Sequence, residues 1–282
     1  MSSTQELGPG IYCRMLEGGN CGAVIASEHT LLVDAPILPS ERKAWLQALA
    51  ELGMQRAEIL VNTDYHPEHI LGNANLAPEA VWSHEAAARY IARYKMAASE
   101  QMVSMVHDLD PRRLEGLGEI EILTPTVSVV DRVTLHWDSH IVQVLALPGH
   151  TAASLGVLEV GSGIFFAGDN VVCYEPPSMA QADSKAWLTS LAKIRELAPR
   201  VLVPGIGELC DLEAIDNLER YLTDLREQVS ALFAAGASRR ECVEKVTLSG
   251  YFSDEHTSRA RRRLREAVER VYAEVRQEQR QK

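Results

Sequence analysis

The stretch Asp64-Tyr65-His66-Pro67-Glu68-His69 constrains this chain more than any other. It follows the short apolar run Ile59-Leu60-Val61, which reads as a buried strand. Asp64, His66, Glu68 and His69 place four potential metal donors within six residues, alternating and then adjacent. On a helix, side chains share a face only at i+3 and i+4. The spacing therefore suits a loop that leaves a strand end and turns its side chains toward one point. A mixed set of imidazoles and carboxylates is suited to a divalent metal. A chain of 282 residues, 46% of them hydrophobic, can bury the core needed to hold such a loop.

Other turns recur after strand-like runs. Leu147-Pro148-Gly149-His150-Thr151 follows the alternating run Ile141 to Ala146, and Phe165-Phe166-Ala167-Gly168-Asp169 ends another apolar run. Val201-Leu202-Val203 leads into Pro204-Gly205-Ile206-Gly207, and Thr30-Leu31-Leu32-Val33 into Asp34-Ala35-Pro36. Taken in order, the five motifs resemble those of the metallo-β-lactamase superfamily, over roughly residues 8 to 210. The Asp64–His69 motif departs from the family's HxHxDH signature: Asp64 stands at the first His and Glu68 at the Asp. Ile206 occupies the His position of the last motif, and isoleucine cannot bind a metal.

The resemblance implies a mixed α/β (α+β) fold, the four-layered αββα sandwich with two face-to-face sheets and helices outside. It places residues 1–210 in that domain. Residues 211–282, almost wholly helical with breaks near Gly236 and Gly250-Tyr251, become a C-terminal extension packed on the same domain. Along the chain, short strands are expected over 10–16, 21–26 and 30–34, and a helix over 40–52. A helix over 67–76, begun by Pro67, follows the donor loop. A short strand at Val81-Trp82 and a helix over 85–94 come next. The Met-punctuated stretch 95–118 reads either as a cover for the site or as helix packing with Met as gap filler. Strands then recur near 126–130, 133–137, 141–147, 155–160, 164–167 and 201–203, with a helix over 183–197.

Carried over residue by residue, the family's ligand pattern gives a first metal site of Asp64, His66 and His150, with Asp169 shared. A second would use Glu68, His69 and Asp169, lacking the ligand that Ile206 replaces. The cofactor implied is a divalent metal, with zinc favoured and iron or manganese as alternatives, since the added carboxylate hardens the donor set. The resemblance implies hydrolysis of a small ester, lactone, thioester or related bond by metal-bound water, with Glu68 or Asp169 as the catalytic group that positions or deprotonates it. Two other readings stay open: a degenerate site in a non-catalytic binding protein, and a carboxylate-rich iron centre with redox activity.

The net charge of −11 weighs against general nucleic-acid binding, which needs surplus Lys and Arg. The basic run 259–265 is followed by Glu266, Glu269 and Glu274 at helical spacing and reads as a solvated helix face. The first ten residues carry neither a basic nor an apolar leader segment, and no run reaches the length of a membrane span. The five cysteines are odd in number and lack CxxC spacing. These features give the expectation of a cytoplasmic protein with a small-molecule substrate and no nucleic-acid or membrane partner, and leave a homodimer open. Cys173 and Cys210 are considered as soft ligands near the pocket, Tyr65 and Tyr174 as pocket walls, and Asn73 and Asn170 as supports for the ligands.

Overall fold

The computed structural model describes residues 4–94 and 121–280. Twelve strands among these residues form two sheets. The first runs in spatial order β1 (Gln5–Gly8), β2 (Ile11–Arg14), β3 (Cys21–Ile25), β4 (Thr30–Val33), β5 (Ile59–Val61), β6 (Ala80–His84) and β7 (Val127–Val129). The second runs β12 (Val201–Pro204), β11 (Ile164–Gly168), β10 (Leu155–Glu159), β9 (Ile141–Ala146), β8 (Arg132–His136). Strands β1 to β4 form antiparallel hairpins, whereas β4, β5, β6 and β7 pair in parallel.

Alternation along the strands builds the layers, because successive side chains point to opposite faces. Leu31, Val33, Ile59 and Val61 meet Val142, Val144, Val157, Ile164 and Phe166 in the core between the sheets. Leu32 and Leu60 point the other way, onto Trp45 and Leu49 of helix α1 (Pro39–Glu51). On the far face, Phe165, Ala167 and Leu202 pack under helices α5 (Ser184–Glu196), α6 (Leu212–Ala234) and α8 (Ser258–Arg280). The central strands are covered on both faces, so β4, β5, β10 and β11 are buried along their whole length. The result is the αββα sandwich.

Short helices α2 (Pro67–Ile70), α3 (Asn73–Leu76) and α4 (Ala87–Tyr94) flank the donor loop, and α7 (Arg239–Lys245) links α6 to α8. The single helix expected over 67–76 is two, and the break has a local cause. Asn62 Nδ2 donates to the His69 carbonyl at 2.9 Å, taking the acceptor that a continuing helix would offer to residue 73. No helix among the described residues is long and apolar enough to cross a membrane. The stretch 95–118, expected as cover or packing, lies outside the described residues.

Candidate metal centre

The donor loop is shaped by its own first residue. Asp64 Oδ1 accepts from the His66 backbone N at 2.7 Å, an Asx turn that follows the end of β5. His66 then sits in extended backbone as the N-cap of α2, and Pro67 opens the helix. His150 and Asp169 arrive on the turns after β9 and β11. The donor atoms of Asp64, His66, His150 and Asp169 lie within 4.8 Å of one another. His150 Nε2 is 3.2 Å from His66 Nδ1, 3.6 Å from Asp64 Oδ2 and 3.5 Å from Asp169 Oδ2.

His69 stands beside this group, its Nε2 3.6 Å from Asp169 Oδ2 and 3.8 Å from Asp64 Oδ1. Glu68 lines the same cavity but is not one of the four convergent donors. Ile206 also lines the cavity and is 37% exposed. An isoleucine plugging a donor cluster would be buried instead.

A cation fits this donor set. His69 Nε2 is buried without a hydrogen-bond partner, and Asp64 Oδ2 is buried with the His66 ring, at 3.1 Å, beside it, although buried polar atoms are normally satisfied. Two carboxylates converge where water is largely excluded, and buried charge needs a counter-charge. In the bare protein the histidines supply it. Burial works against charge on His66, but Asp64 beside it raises its pKa to about 9. Burial opposes charge on His69 too, yet Asp34 and Asp64 raise its pKa above the ordinary value. Burial pushes Asp169 up, but His69 and His150 hold it at about 2. His150 is the exception, lowered mainly by burial.

The convergent donors are held by residues behind them. Asp34, at a left-handed φ of 54°, accepts from Thr63 N at 2.8 Å and Thr63 Oγ1 at 2.6 Å, and its Oδ2 lies 3.0 Å from His69 Nδ1. That contact fixes the His69 tautomer so that Nε2 faces the cluster. Asn170 Oδ1 accepts from His150 N at 3.2 Å, while Asn170 Nδ2 donates to Leu147 O at 2.7 Å. Asn73 and Asn62 form a reciprocal amide pair at 2.8 and 3.1 Å. Asn20 Nδ2 donates to Pro204 O and Gly207 O, both at 2.9 Å, and so holds the turn that carries Ile206.

Support by Asn170 and Asn73 is expected from their positions beside the ligands. The parts played by Asp34, Asn20 and Thr63 are not, though an Asp at a strand end before Ala-Pro is a visible signal for the first. Tyr65 is buried, stacked on Tyr90 with ring centroids 4.0 Å apart, and its hydroxyl donates to Gln181. Tyr174 is exposed and donates to Glu208 at 3.1 Å; neither it nor Cys173 nor Cys210 lines the cavity.

The cavity over the cluster has a volume of about 1020 Å³, large for a small-molecule site. Tyr90, Arg93 and Tyr94 of α4 form part of its wall, and Arg262, Arg263, Glu266 and Arg270 of α8 another part. The basic run is therefore more than a solvated face. Arg263 Nη1 donates to Glu175 at 3.1 Å and to Pro176 O at 2.9 Å, and Arg270 donates to Ala182 O. These bonds fix the segment that brings Ser178, Ala180 and Gln181 to the cavity.

Comparison with known proteins agrees with this architecture. The family model described as the metallo-beta-lactamase superfamily matches residues 14–206. No curated protein sequence gives a significant match. Among solved structures, the stereoselective inverting sec-alkylsulfatase Pisa1 from Pseudomonas sp. superposes with a TM-score of 0.78 at 13% identity, covering 97% of this chain. The chain spans 50% of that sulfatase's length. A metallo-beta-lactamase family protein from Thermus thermophilus gives 0.70 at 19% identity, covering 97% of this chain and 95% of its own. A metallo-beta-lactamase from Pontibacter korlensis gives 0.62 at 17% identity over 79% of this chain and 99% of its own.

Proposed function

The chain belongs to the metallo-β-lactamase superfamily, and on that premise we propose that it is a metal-dependent hydrolase of a small ester, lactone, thioester or related substrate. The observation that carries the reading is the convergence of Asp64, His66, His150 and Asp169 within 4.8 Å at the base of a cavity. These four residues would hold a divalent ion, zinc by preference, with His69 beside them. When bound, such an ion lowers the pKa of a coordinated water and polarises a carbonyl or phosphoryl oxygen.

The chain's own groups supply the rest. Glu68 lines the cavity, and burial raises its carboxyl pKa against the pull of His66 and His69. A carboxylate tuned upward in this way is a better proton acceptor near neutral pH. Asp169, held low by the flanking imidazoles, stays ionised and orients the attacking group. Ile206 and Ala152, with Tyr90 and Tyr94, give the substrate an apolar surface. The acidic balance of −11 favours a small molecule over nucleic acid as the substrate.

Metal analysis of protein purified without chelators tests the first half of this reading; a stoichiometry near zero that added zinc, iron or manganese leaves unchanged rejects it. A screen of esters, lactones, thioesters and phosphodiesters tests the second. Turnover should be faster with the wild type than with a His66→Ala, His150→Ala double variant. Equal rates across the screen, with metal bound, would leave a binding protein instead.

A further inference from the structure

Tyr65 lies between Asp64 and His66 in the donor loop, and its ring is fixed by its neighbours. It is 1% exposed, stacked on Tyr90 with centroids 4.0 Å apart and set edge-on to His66 at 5.2 Å. Arg89 and Arg93 in turn lie over the Tyr90 ring at 5.0 and 5.7 Å. A ring held in this way aims its hydroxyl in one direction, and the hydroxyl donates to Oε1 of Gln181. Gln181 lines the cavity over the donors. We propose that Gln181 determines specificity at this site, its Nε2 donating to a carbonyl or ether oxygen that the substrate carries away from the bond to be cleaved. The inference rests on the hydrolase reading for the word substrate, and on geometry for the contact itself.

The backbone that presents Gln181 is tied down on two sides. The next residue, Ala182, is fully buried; its N donates to Met179 O at 3.1 Å and its O accepts from Arg270 of α8. Asp183 N donates to the carbonyl of Gly149, the residue before His150, at 2.9 Å, and the Asp183 side chain caps α5. Gln181 is thus fixed relative to both the α8 wall and the turn that carries His150. An exposed glutamine ordinarily gives up rotamer freedom when it binds a ligand. Here the bond from Tyr65 has already ordered the side chain.

The same bond decides what the amide offers. A glutamine side chain has one acceptor oxygen and an NH₂ with two donor hydrogens. Tyr65 occupies the oxygen, and the amide cannot flip without losing that bond. Among the described residues, no group accepts from Gln181 Nε2. A ligand in the cavity therefore meets a donor. His66 is touched by the Tyr65 ring and Gln181 by its hydroxyl, so the amide serves a part of the substrate other than the bond over the donors. A substrate lacking an oxygen there leaves Nε2 to solvent, and one neutral hydrogen bond sets the discrimination at about three- to tenfold.

The test is calorimetry on the zinc-loaded full chain, and it needs no turnover. The probes are keto acids with the ketone at successive positions, levulinate first, each against its saturated parent, pentanoate for levulinate. The carboxylate stands in for a hydrolysis product. At least one keto acid should bind the wild type about three- to tenfold more tightly than its parent. Gln181→Leu should bind the two equally; the side chain is exposed, so its loss leaves the core intact. Gln181→Glu still accepts from Tyr65 but offers a ligand no donor, so it should favour the matching hydroxy acid over the keto acid. Tyr65→Phe frees the amide to flip, and the two should then bind alike. A role confined to satisfying the Tyr65 hydroxyl would produce neither change. A wild type that favours no keto acid, or a preference that survives Gln181→Leu, overturns the inference. Absence of turnover with the preference intact would reject the hydrolase reading and leave the contact standing.

Discussion

Replacing Asp34 by Asn isolates the force that orients His69. Asn tolerates the left-handed backbone at position 34, so the substitution keeps shape and φ while removing the charge. The bond from Thr63 N to Oδ1 at 2.8 Å can survive, because an amide oxygen accepts it. What changes is the Oδ2 side, where Thr63 Oγ1 and His69 Nδ1 converge at 2.6 and 3.0 Å. An amide NH₂ there donates, so Nδ1 of His69 must become the acceptor and the ring proton moves to Nε2, facing the cluster. His69 is 1% exposed, and water cannot compensate. Losing one buried bond to a charged group costs about 1.5–3 kcal/mol. For a domain of this size that corresponds to a fall in Tm of roughly 3–12 °C. Loss of this support should also weaken zinc binding about 10- to 100-fold. Thermal melts with and without zinc, together with a chelator competition, measure both. An Asp34→Asn protein with unchanged Tm and unchanged zinc affinity would refute the orienting role. Asp34→Ala should melt lower still, since the left-handed backbone then adds about 1–2 kcal/mol of strain.

Gly205→Ala should disturb the cluster without touching a donor: its Cβ would lie 1.9 Å from Asp169 Oδ1 and 2.8 Å from Asp169 N. Metal content per folded chain should fall, and a stoichiometry equal to the wild type would count against this packing. Trp187→Ala removes a fully buried ring whose Nε1 donates to Asn170 O at 3.0 Å; chemical denaturation should show a loss of about 3–5 kcal/mol. Burial raises Glu278, but bonds from Lys185 and Arg226 outweigh it and leave the carboxyl below its ordinary range. Its contribution is therefore present above the ordinary carboxylate pKa and lost as pH falls through the depressed value. Glu278→Gln should flatten the acid limb of the Tm–pH curve, and an unchanged slope would argue against the pair.

What the sequence made legible was local. The run Ile59-Leu60-Val61 followed by alternating donors announces a strand end and a loop of converging side chains; the strand is there, and Asp64 and His66 of that loop converge with His150 and Asp169. The turns at His150 and Asp169 were readable for the same reason: each follows a strand-like run directly. What stayed hidden joins residues far apart in the chain. The contact between Asp34 and His69 crosses from the end of β4 to α2, and Asn20 reaches the turn at 204–207. The break in the 67–76 helix depends on a side chain at the end of β5 capturing one carbonyl. Helical spacing in 259–265 pointed to a charged face but not to the cavity it borders.

The donors all sit where strands end, but much of the cavity wall comes from a helix that contributes no donor. Through Arg263 and Arg270, α8 also sets the path of the segment that carries Ser178 and Gln181. On the proposed hydrolase function, reaction chemistry and substrate choice would fall to separate stretches of chain. Exchanges along the 262–270 face of α8 would then reshape what the cavity accepts while the four convergent donors keep their geometry. The C-terminal helices are the place to look for divergence in substrate among chains that share this donor set.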